Sequence, residues 1–460
     1  MSTVQTTAYT RSLGARLLGE ANDLKRTPES LADELGVSRA FVQAAIEGTL
    51  DVGEYRPLFE KVAAHYPIGL GRLWIEPSDA DGGVRHMTAA DSAASSRVFT
   101  RKDRTGALTP YYEYRDTAMS RVAPFRPEWI RELREVSDAD PNNPDVAYNR
   151  GHFLHQTTFF IGPVNFYWEV NGKRHCAELE TGDSNYITPF WPHSFTSRDP
   201  KQTALIIAVT YGGEVARARD EAGRVGVDRL KALAFDLRDA NRASSQLLRR
   251  HLQVESLPET EFVDRAVERG LSQTDVAAWL EGTASPDAAA VAILAEIVHA
   301  SPRDLMAPTR RPDDEVVVRR RREADVSLWP CSAGASYRLE RMARSRCQPY
   351  LKSFILTVLP GSSGAVIEAP LHQYLYNHGD RAVRLLTDSG DERRELVLAP
   401  GDSAYVAPMV VCRFLDHNGQ GGELFVVRVP GDLHADAVFE LSGMAPSGWA
   451  RVAAESTRWF

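Results

Sequence analysis

The sequence predicts an α+β chain built as a tandem repeat, each copy a small helical domain followed by a β-rich domain. Two pairs of segments predict it. "GVSRAFVQAAIEGT" at 36–49 recurs as "GLSQTDVAAWLEGT" at 270–283, and "GDSNYITPFWPHSF" at 182–195 recurs as "GDSAYVAPMVVCRF" at 401–414. Order and spacing are nearly kept, as expected of a duplicated unit. The expected domains are 10–75 and 240–308 (helical, helix-turn-helix-like), and 84–235 and 315–460 (β-rich).

The first helical domain carries its own punctuation. Thr27 is an N-cap candidate, Pro28 suits the first helical position, and Gly36 ends the helix. Ser38 can cap the next helix, and Gly270 and Ser272 repeat the pattern. "IEPSDADGG" (75–83) and "APTRRPDDE" (307–315) read as linkers. A helix-turn-helix invites a DNA-binding reading, but a groove reader needs several donors on its second helix. Here that helix offers only Arg39 in the first copy and, in the second, Asp275 and Trp279 with no Lys or Arg. A packing and oligomerisation module is the preferred reading. The run Arg319–Arg322 reads as a solvated strand edge or linker.

In the β domains, "VNFYWEVNGKRHCAELETGDSNYITP" reads as strand, Asn171-Gly172 hairpin, strand, turn at Gly182-Asp183, strand. "RAVRLLTDSGDERRELVLAPGDSAYVAP" repeats the order. Short strands joined by Gly-rich turns point to a small double-sheet barrel, the jelly roll or cupin.

Composition bounds the function. The chain has 460 residues, 43% hydrophobic and 25% charged, with net charge −8. That balance suits a soluble globular protein and disfavours nucleic acid as the partner of the whole chain. No apolar run is long enough to span a bilayer, and the N-terminus does not read as a secretory signal. Cys176, Cys331, Cys347 and Cys412 form no CxxC pair and are expected as reduced thiols in a cytoplasmic protein.

The chemistry concentrates in "NRGHFLHQTTFFIG" (149–162), read as a strand. Side chains alternate faces in a strand, so His152 and Gln156 share one face and His155 takes the other. His193, in "FWPHSF", supplies a third donor. Two histidines plus one oxygen donor, with open positions, is the pattern of mononuclear non-haem Fe(II) oxygenases, although the oxygen is usually a carboxylate rather than an amide. The second copy offers Cys412 at the His193 position and His372 as a counterpart of His152, followed four residues later by Tyr376. It is expected to bind no metal.

At these residues the sequence resembles the phosphonate-processing non-haem iron enzymes, which include hydroxypropylphosphonate epoxidase, hydroxyethylphosphonate dioxygenase and methylphosphonate synthase. The resemblance covers essentially the whole chain and is sharpest from about Arg104 to Phe195. The epoxidase has Glu where this chain has Gln156. The dioxygenase has its carboxylate ligand six residues before the last histidine, where this chain has Ile187. Methylphosphonate synthase is similar at both places. The resemblance implies Fe(II) on His152, Gln156 and His193, with O2 and a phosphonate as substrates and no 2-oxoglutarate. It implies substrate contacts from Arg104, Tyr114 and Asn149, and a cation, Lys25, arriving from a different unit or subunit of a homo-oligomer. Lys25 has Glu259 in its place in the second copy. Where the dioxygenase has a phosphonate-contacting serine, this chain has Ala208, with Thr210 and Tyr211 as neighbouring replacements. The activity implied is cleavage of 2-hydroxyethylphosphonate to methylphosphonate. The alternatives are the dioxygenase outcome, hydroxymethylphosphonate and formate, and, from another class, a metal-free helix-turn-helix regulator.

Overall fold

The computed structural model describes residues 3–308, 314–331, 333–390 and 392–454. The chain divides into two compact units: residues 1–85, 120–123 and 430–460, and residues 86–119 with 124–429. The segment from Pro430 falls in the first unit, apart from the β strands that precede it. The linker expected at 307–315 lies partly on residues 309–313, outside the described residues.

The first unit contains α1 (Thr3–Asp23), α2 (Pro28–Leu35), α3 (Arg39–Glu47), α4 (Val52–His65) and α5 (Leu70–Leu73), of which α2 and α3 follow the sequence signals. The Thr27 side chain accepts from the Ser30 amide, Ser38 accepts from Phe41, and Gly36 closes α2 at φ +61°. Apolar faces of these helices bury Leu13, Leu17, Leu31, Val42, Tyr55 and Phe59 in one core. The only Arg of α3, Arg39, is paired with Glu29.

The second unit holds the second helical set, with helices Ala240–Glu255, Glu259–Glu268, Gln273–Glu281 and Ala288–Ile297. Ser272 caps the third of these, as Ser38 caps α3. Its Phe262, Val276, Leu280 and Leu294 form a separate core.

A short strand, β1 (Val84–Met87), leads into the first β body. There follow β2 (Arg97–Lys102), β3 (Leu108–Asp116), β4 (Phe125–Glu132), β5 (His155–Ile161), β6 (Val164–Val170), β7 (Lys173–Leu179), β8 (Ser184–Ile187), β9 (His193–Ser197) and β10 (Leu205–Tyr211). β11 (Val316–Arg319) joins the edge of the first body's large sheet, and the second body contains β12 (Val326–Trp329), β13 (Tyr337–Arg341), β14 (Lys352–Val358), β15 (His372–Asn377), β16 (Val383–Asp388), β17 (Arg393–Leu398), β18 (Ser403–Val406), β19 (Val411–Asp416) and β20 (Gly422–Val429).

The two bodies share one topology. The large sheet of the first runs β8-β5-β10-β4-β3-β2 and that of the second β18-β15-β20-β14-β13-β12; the small sheets run β7-β6-β9 and β17-β16-β19. In the first body both sheets contribute to one core, with Phe160 and Ile206 from the large sheet against Phe166 and Phe195 from the small one. The Asn171-Gly172 hairpin forms as expected, with both residues at positive φ (52° and 76°).

The repeated Gly-Asp-Ser turns lock the bodies together. Asp183 accepts from the Arg321 amide at 2.8 Å and faces Arg320 Nη1 at 3.1 Å, and Ser184 Oγ accepts from the Ala343 amide at 2.9 Å. Reciprocally, Asp402 accepts from the Ala89 amide at 2.8 Å and faces His86 Nε2 at 3.1 Å, and Ser403 Oγ accepts from the Ala118 amide at 2.8 Å. β11, on the way into the second body, pairs with β8 of the first. Arg321 also bonds Glu340 and Glu423. Two arginines of the basic run, Arg320 and Arg321, are thus held by carboxylates at this junction, while Arg322 stays exposed. Phe159 and Phe425 stack across it at 4.9 Å. Among the described residues, no helix is long and apolar enough to cross a membrane.

Candidate metal centre

A cavity of about 260 Å³ opens in the first body, and His152, Gln156, His193, Asn149 and Tyr114 all line it. Its polar wall is assembled by two loops in close approach. Residues 149–154 form no strand; β5 begins only at His155. The expected single strand is corrected here: His152 reaches the cavity from a bend, and Gln156 from the strand proper. The bend needs Gly151, at φ +72°, because a Cβ there would stand 2.3 Å from the Phe190 carbonyl carbon. The Phe190 amide donates to the His152 carbonyl at 2.9 Å, and the Asn149 amide to that of His193 at 3.0 Å.

Asn149 is the clamp of this junction. Its Oδ1 accepts from the amides of His193 (3.0 Å) and Gly151 (2.9 Å), and its Nδ2 faces His193 Nε2 at 3.0 Å. His193 Nδ1 donates to the Trp191 carbonyl at 2.9 Å, so the other ring nitrogen turns its lone pair to the cavity. Burial pushes the His193 pKa down to about 4, against the Trp191 carbonyl and with the help of His152. The imidazole is neutral near pH 7, the form a metal takes.

Gln156 is oriented in the same way. Its Nε2 donates to Thr158 Oγ1 at 2.9 Å, which leaves Oε1 3.1 Å from His152 Nε2. The two histidine rings lie 5.1 Å apart, edge to face. His152 Nδ1 is buried without a hydrogen-bond partner. Among the described residues no three of His, Cys, Asp or Glu converge on a metal-sized space. The donor set is instead two imidazoles and an amide oxygen, and its chemistry fits a divalent cation: His193 is held neutral by burial, and Gln156 turns Oε1 toward the His152 ring. Ile187 is paired directly with Gln156 across β5 and β8. It is fully buried in the core and is not among the residues that line the cavity. The position that carries a carboxylate in the dioxygenases is therefore next door to the amide.

The anion-facing side differs from expectation. Arg104 sits in the hairpin turn after β2, exposed, its Nε donating to Asp145 at 2.6 Å. The structure does not bring it to the cavity, where Arg101 and Arg126 stand instead. Alternation along β4, with Arg126, Glu128 and Ile130 on one face, was the signal available for the second of these. Tyr114 lines the cavity, and burial raises its hydroxyl pKa well above the usual value. Burial also holds the Glu128 carboxyl above its usual range. Ala208 is buried in the core, while Thr210 lines the cavity and donates to the Arg126 carbonyl at 3.2 Å. Tyr211 lies on the other face, stacked on His155 at 5.1 Å. His155 Nδ1 meets the Tyr186 hydroxyl at 2.8 Å. Lys25 belongs to the first unit, where it follows α1 at φ +59° with Nζ directed at the Asn22 carbonyl at 3.3 Å.

No family model matches the sequence. A methylphosphonate synthase from Nitrosopumilus maritimus (strain SCM1) is 35% identical over 458 residues, 98% of this chain and 96% of that protein. The chain belongs to the methylphosphonate synthase family. Among solved structures, a 2-hydroxyethylphosphonate dioxygenase (HEPD) from Streptomyces albus, with 2-hydroxyethylphosphonate and Fe(II) bound, superposes with TM-score 0.90 and 34% identity, covering both chains entirely. Another HEPD structure matches at TM-score 0.75 and 20% identity, covering 95% of this chain and 99% of that one, a likeness of fold.

As a member of the methylphosphonate synthase family, the chain departs from symmetry in its second copy. His372 Nδ1 meets the Tyr405 hydroxyl at 2.8 Å, the same contact that His155 makes with Tyr186. His372 is therefore the counterpart of His155, not of His152 as the spacing suggested. Gln373 stands in the Gln156 position, since it pairs with Val406 as Gln156 does with Ile187. Ala369 replaces His152: the Met409 amide donates to its carbonyl at 2.8 Å, as that of Phe190 does to His152. Cys412 replaces His193, and burial pushes its thiol up to about 12. The metal set is lost at two of three positions.

Proposed function

We propose that this protein is an Fe(II)- and O2-dependent enzyme that cleaves the C–C bond of 2-hydroxyethylphosphonate to give methylphosphonate. The single observation that carries the reading is the His152/Gln156/His193 set with Ile187, not a carboxylate, beside Gln156. The relative named a methylphosphonate synthase supports it along 98% of the chain. Each copy is read as a helix-turn-helix-like domain and a cupin barrel, with the iron in the first barrel only and homo-oligomerisation to bring Lys25 in.

Fe(II) on His152, Gln156 and His193 would supply O2 activation, with the electrons drawn from the substrate. The chain's own residues do the rest. Arg101 and Arg126 attract the phosphonate dianion through charge-assisted hydrogen bonds. The Tyr114 hydroxyl, kept protonated by burial, donates to a phosphonate oxygen. Once His193 Nε2 is taken by a metal, Asn149 Nδ2 loses that acceptor and is free to donate to substrate, while Oδ1 still holds the loop. Lys25 is assigned to the phosphonate as a cation. Arg104 is left as a closing residue of the hairpin turn.

Anaerobic loading with Fe(II), then addition of O2 and 2-hydroxyethylphosphonate, followed by phosphorus NMR, tests this. Methylphosphonate is the expected product. Hydroxymethylphosphonate as the dominant product would favour the dioxygenase reading, which the TM-score of 0.90 to the Streptomyces albus protein keeps in view. No turnover together with salt-sensitive DNA binding in a gel-shift assay would favour the regulator.

A further inference from the structure

The second body has a cavity of about 310 Å³ on the strands that correspond to the wall of the first cavity, with Arg428 and Lys352 in the positions of Thr210 and Arg126, and fills its walls with cations. Arg341, Arg344, Lys352 and Arg428 line it, with Glu368 as the one carboxylate. In a chain of net charge −8 this is a local excess of positive charge. The correspondence of strands explains its origin. Arg428 occupies the position of Thr210, since it pairs with Gln373 as Thr210 pairs with Gln156. Its Nε donates to Gln373 Oε1 at 3.0 Å. The amide oxygen that faces a histidine in the first body here faces a guanidinium, so a fixed cation of the protein stands where the first copy would hold a metal.

The remaining cations are incompletely neutralised. Arg341 Nη2 donates to Ser327 Oγ at 2.8 Å, but Nη1 is buried without a hydrogen-bond partner. Burial, and then repulsion by Arg344, lowers the Arg341 pKa; burial lowers that of Arg428, with Arg341 also pushing it down. Arg344 is 3.5 Å from Asp325, which also serves Arg319. Arg341 and Arg428 flank the Phe354 ring at 5.7 and 5.1 Å, and Leu339, Ile367 and Trp329 complete an apolar floor. Buried guanidinium hydrogens left without acceptors are costly, and an oxyanion removes that cost.

We propose that this second cavity is a metal-free binding site for a small alkylphosphonate dianion, held by Arg341 and Arg428 with Arg344 and Lys352 at the rim and its alkyl group on Phe354. The choice of phosphonate over other oxyanions rests on the function proposed for the first body; the existence of the anion site does not.

Calorimetric titration of the full chain, without added iron, with methylphosphonate and separately with inorganic phosphate tests the site. Methylphosphonate binding is expected to persist in His193→Ala, to fall about tenfold or more in Arg341→Gln and in Arg428→Gln, and to weaken with salt. Lys352→Gln, at an exposed rim position, should lower affinity several-fold without touching the core, so it reports even where a buried arginine variant does not fold. Absence of binding to the wild-type chain, or binding unchanged in Arg341→Gln, Arg428→Gln and Lys352→Gln, would overturn the proposal. Tighter binding of phosphate than of methylphosphonate would overturn the alkylphosphonate assignment. Failure of the first cavity's function is read separately, from product NMR, and leaves these titrations interpretable.

Discussion

Replacing Asn149 by alanine isolates the clamp that holds the two histidine-bearing loops. The side chain satisfies two backbone donors, the amides of His193 and Gly151, and places an amide hydrogen against His193 Nε2. His193 is 4% exposed, so water does not readily replace the lost acceptor at its amide. Two orphaned donors at about 1–2 kcal/mol each set a stability loss of roughly 2–4 kcal/mol. The backbone bond from the Asn149 amide to the His193 carbonyl survives, so the chain is expected to fold, with His152 and His193 less firmly disposed. With the amides of His193 and Gly151 no longer held, the loops that carry the histidines are less pre-organised, and a loss of about 10–100-fold in metal affinity, the size usual for supporting contacts, is expected. The assay is Fe(II) competition against a chelator, run anaerobically beside a thermal melt of the metal-free protein. Asn149→Asp keeps the acceptor and should recover most of the stability. An Asn149→Ala protein that binds Fe(II) as tightly as wild type would refute the reasoning, because the clamp would then not position the ligands.

Further outcomes follow from the same geometry. Gln156→Ala should lower Fe(II) affinity by more than the roughly 100-fold of an outer partner, and Gln156→Glu should retain the metal while shifting the product ratio in phosphorus NMR. His155→Ala should leave iron content intact and cost about 1–2 kcal/mol, from its bond to Tyr186 and its stack on Tyr211. Glu132 is buried with both carboxylate oxygens unpartnered, and burial holds its pKa well above the ordinary 4.5. The folded chain then keeps a proton that the unfolded chain releases, so this group's contribution is full below pH 4.5 and falls as pH rises toward the folded value. Glu132→Gln should flatten the decline of thermal stability above pH 4.5. Lys25→Ala should spare iron binding and impair turnover, and mixing it with His193→Ala protein should restore activity through hybrid oligomers.

Local signals were legible where one residue decides one conformation. Thr27, Ser38, Ser272 and the Asn171-Gly172 turn act as read, because capping and positive φ depend on neighbours in sequence. Gln156 and His193, singled out by spacing, both line the cavity. His152 lines the cavity, but a stretch locked to Phe190, not strand alternation, delivers it there. Arg104 was misplaced because strand β2 ends at Lys102 and Asp145, distant in sequence, captures the guanidinium. The counterpart of His372 could not be set by spacing alone; the tyrosine contact across β15 and β18 sets it. The Gly-Asp-Ser turns marked the repeat, but their purpose depends on partners more than a hundred residues away.

The pairing of β11 with β8 governs what happens if the chain is divided. Ile187 pairs with Gln156 on one side and with Val316 on the other, so the strand beside the proposed metal ligand is covered by a strand leading into the second copy. A protein ending before Val316 would leave the ladder groups of Ser184–Ile187 unpaired along an exposed sheet margin. Such a margin recruits strands from other molecules. The half that carries the proposed metal ligands would therefore aggregate or assemble margin to margin when produced alone, and supplying the residues from Val316 onward as a separate chain is the means of keeping it dispersed. The copy without metal acts, for its active twin, as a built-in guard against self-association.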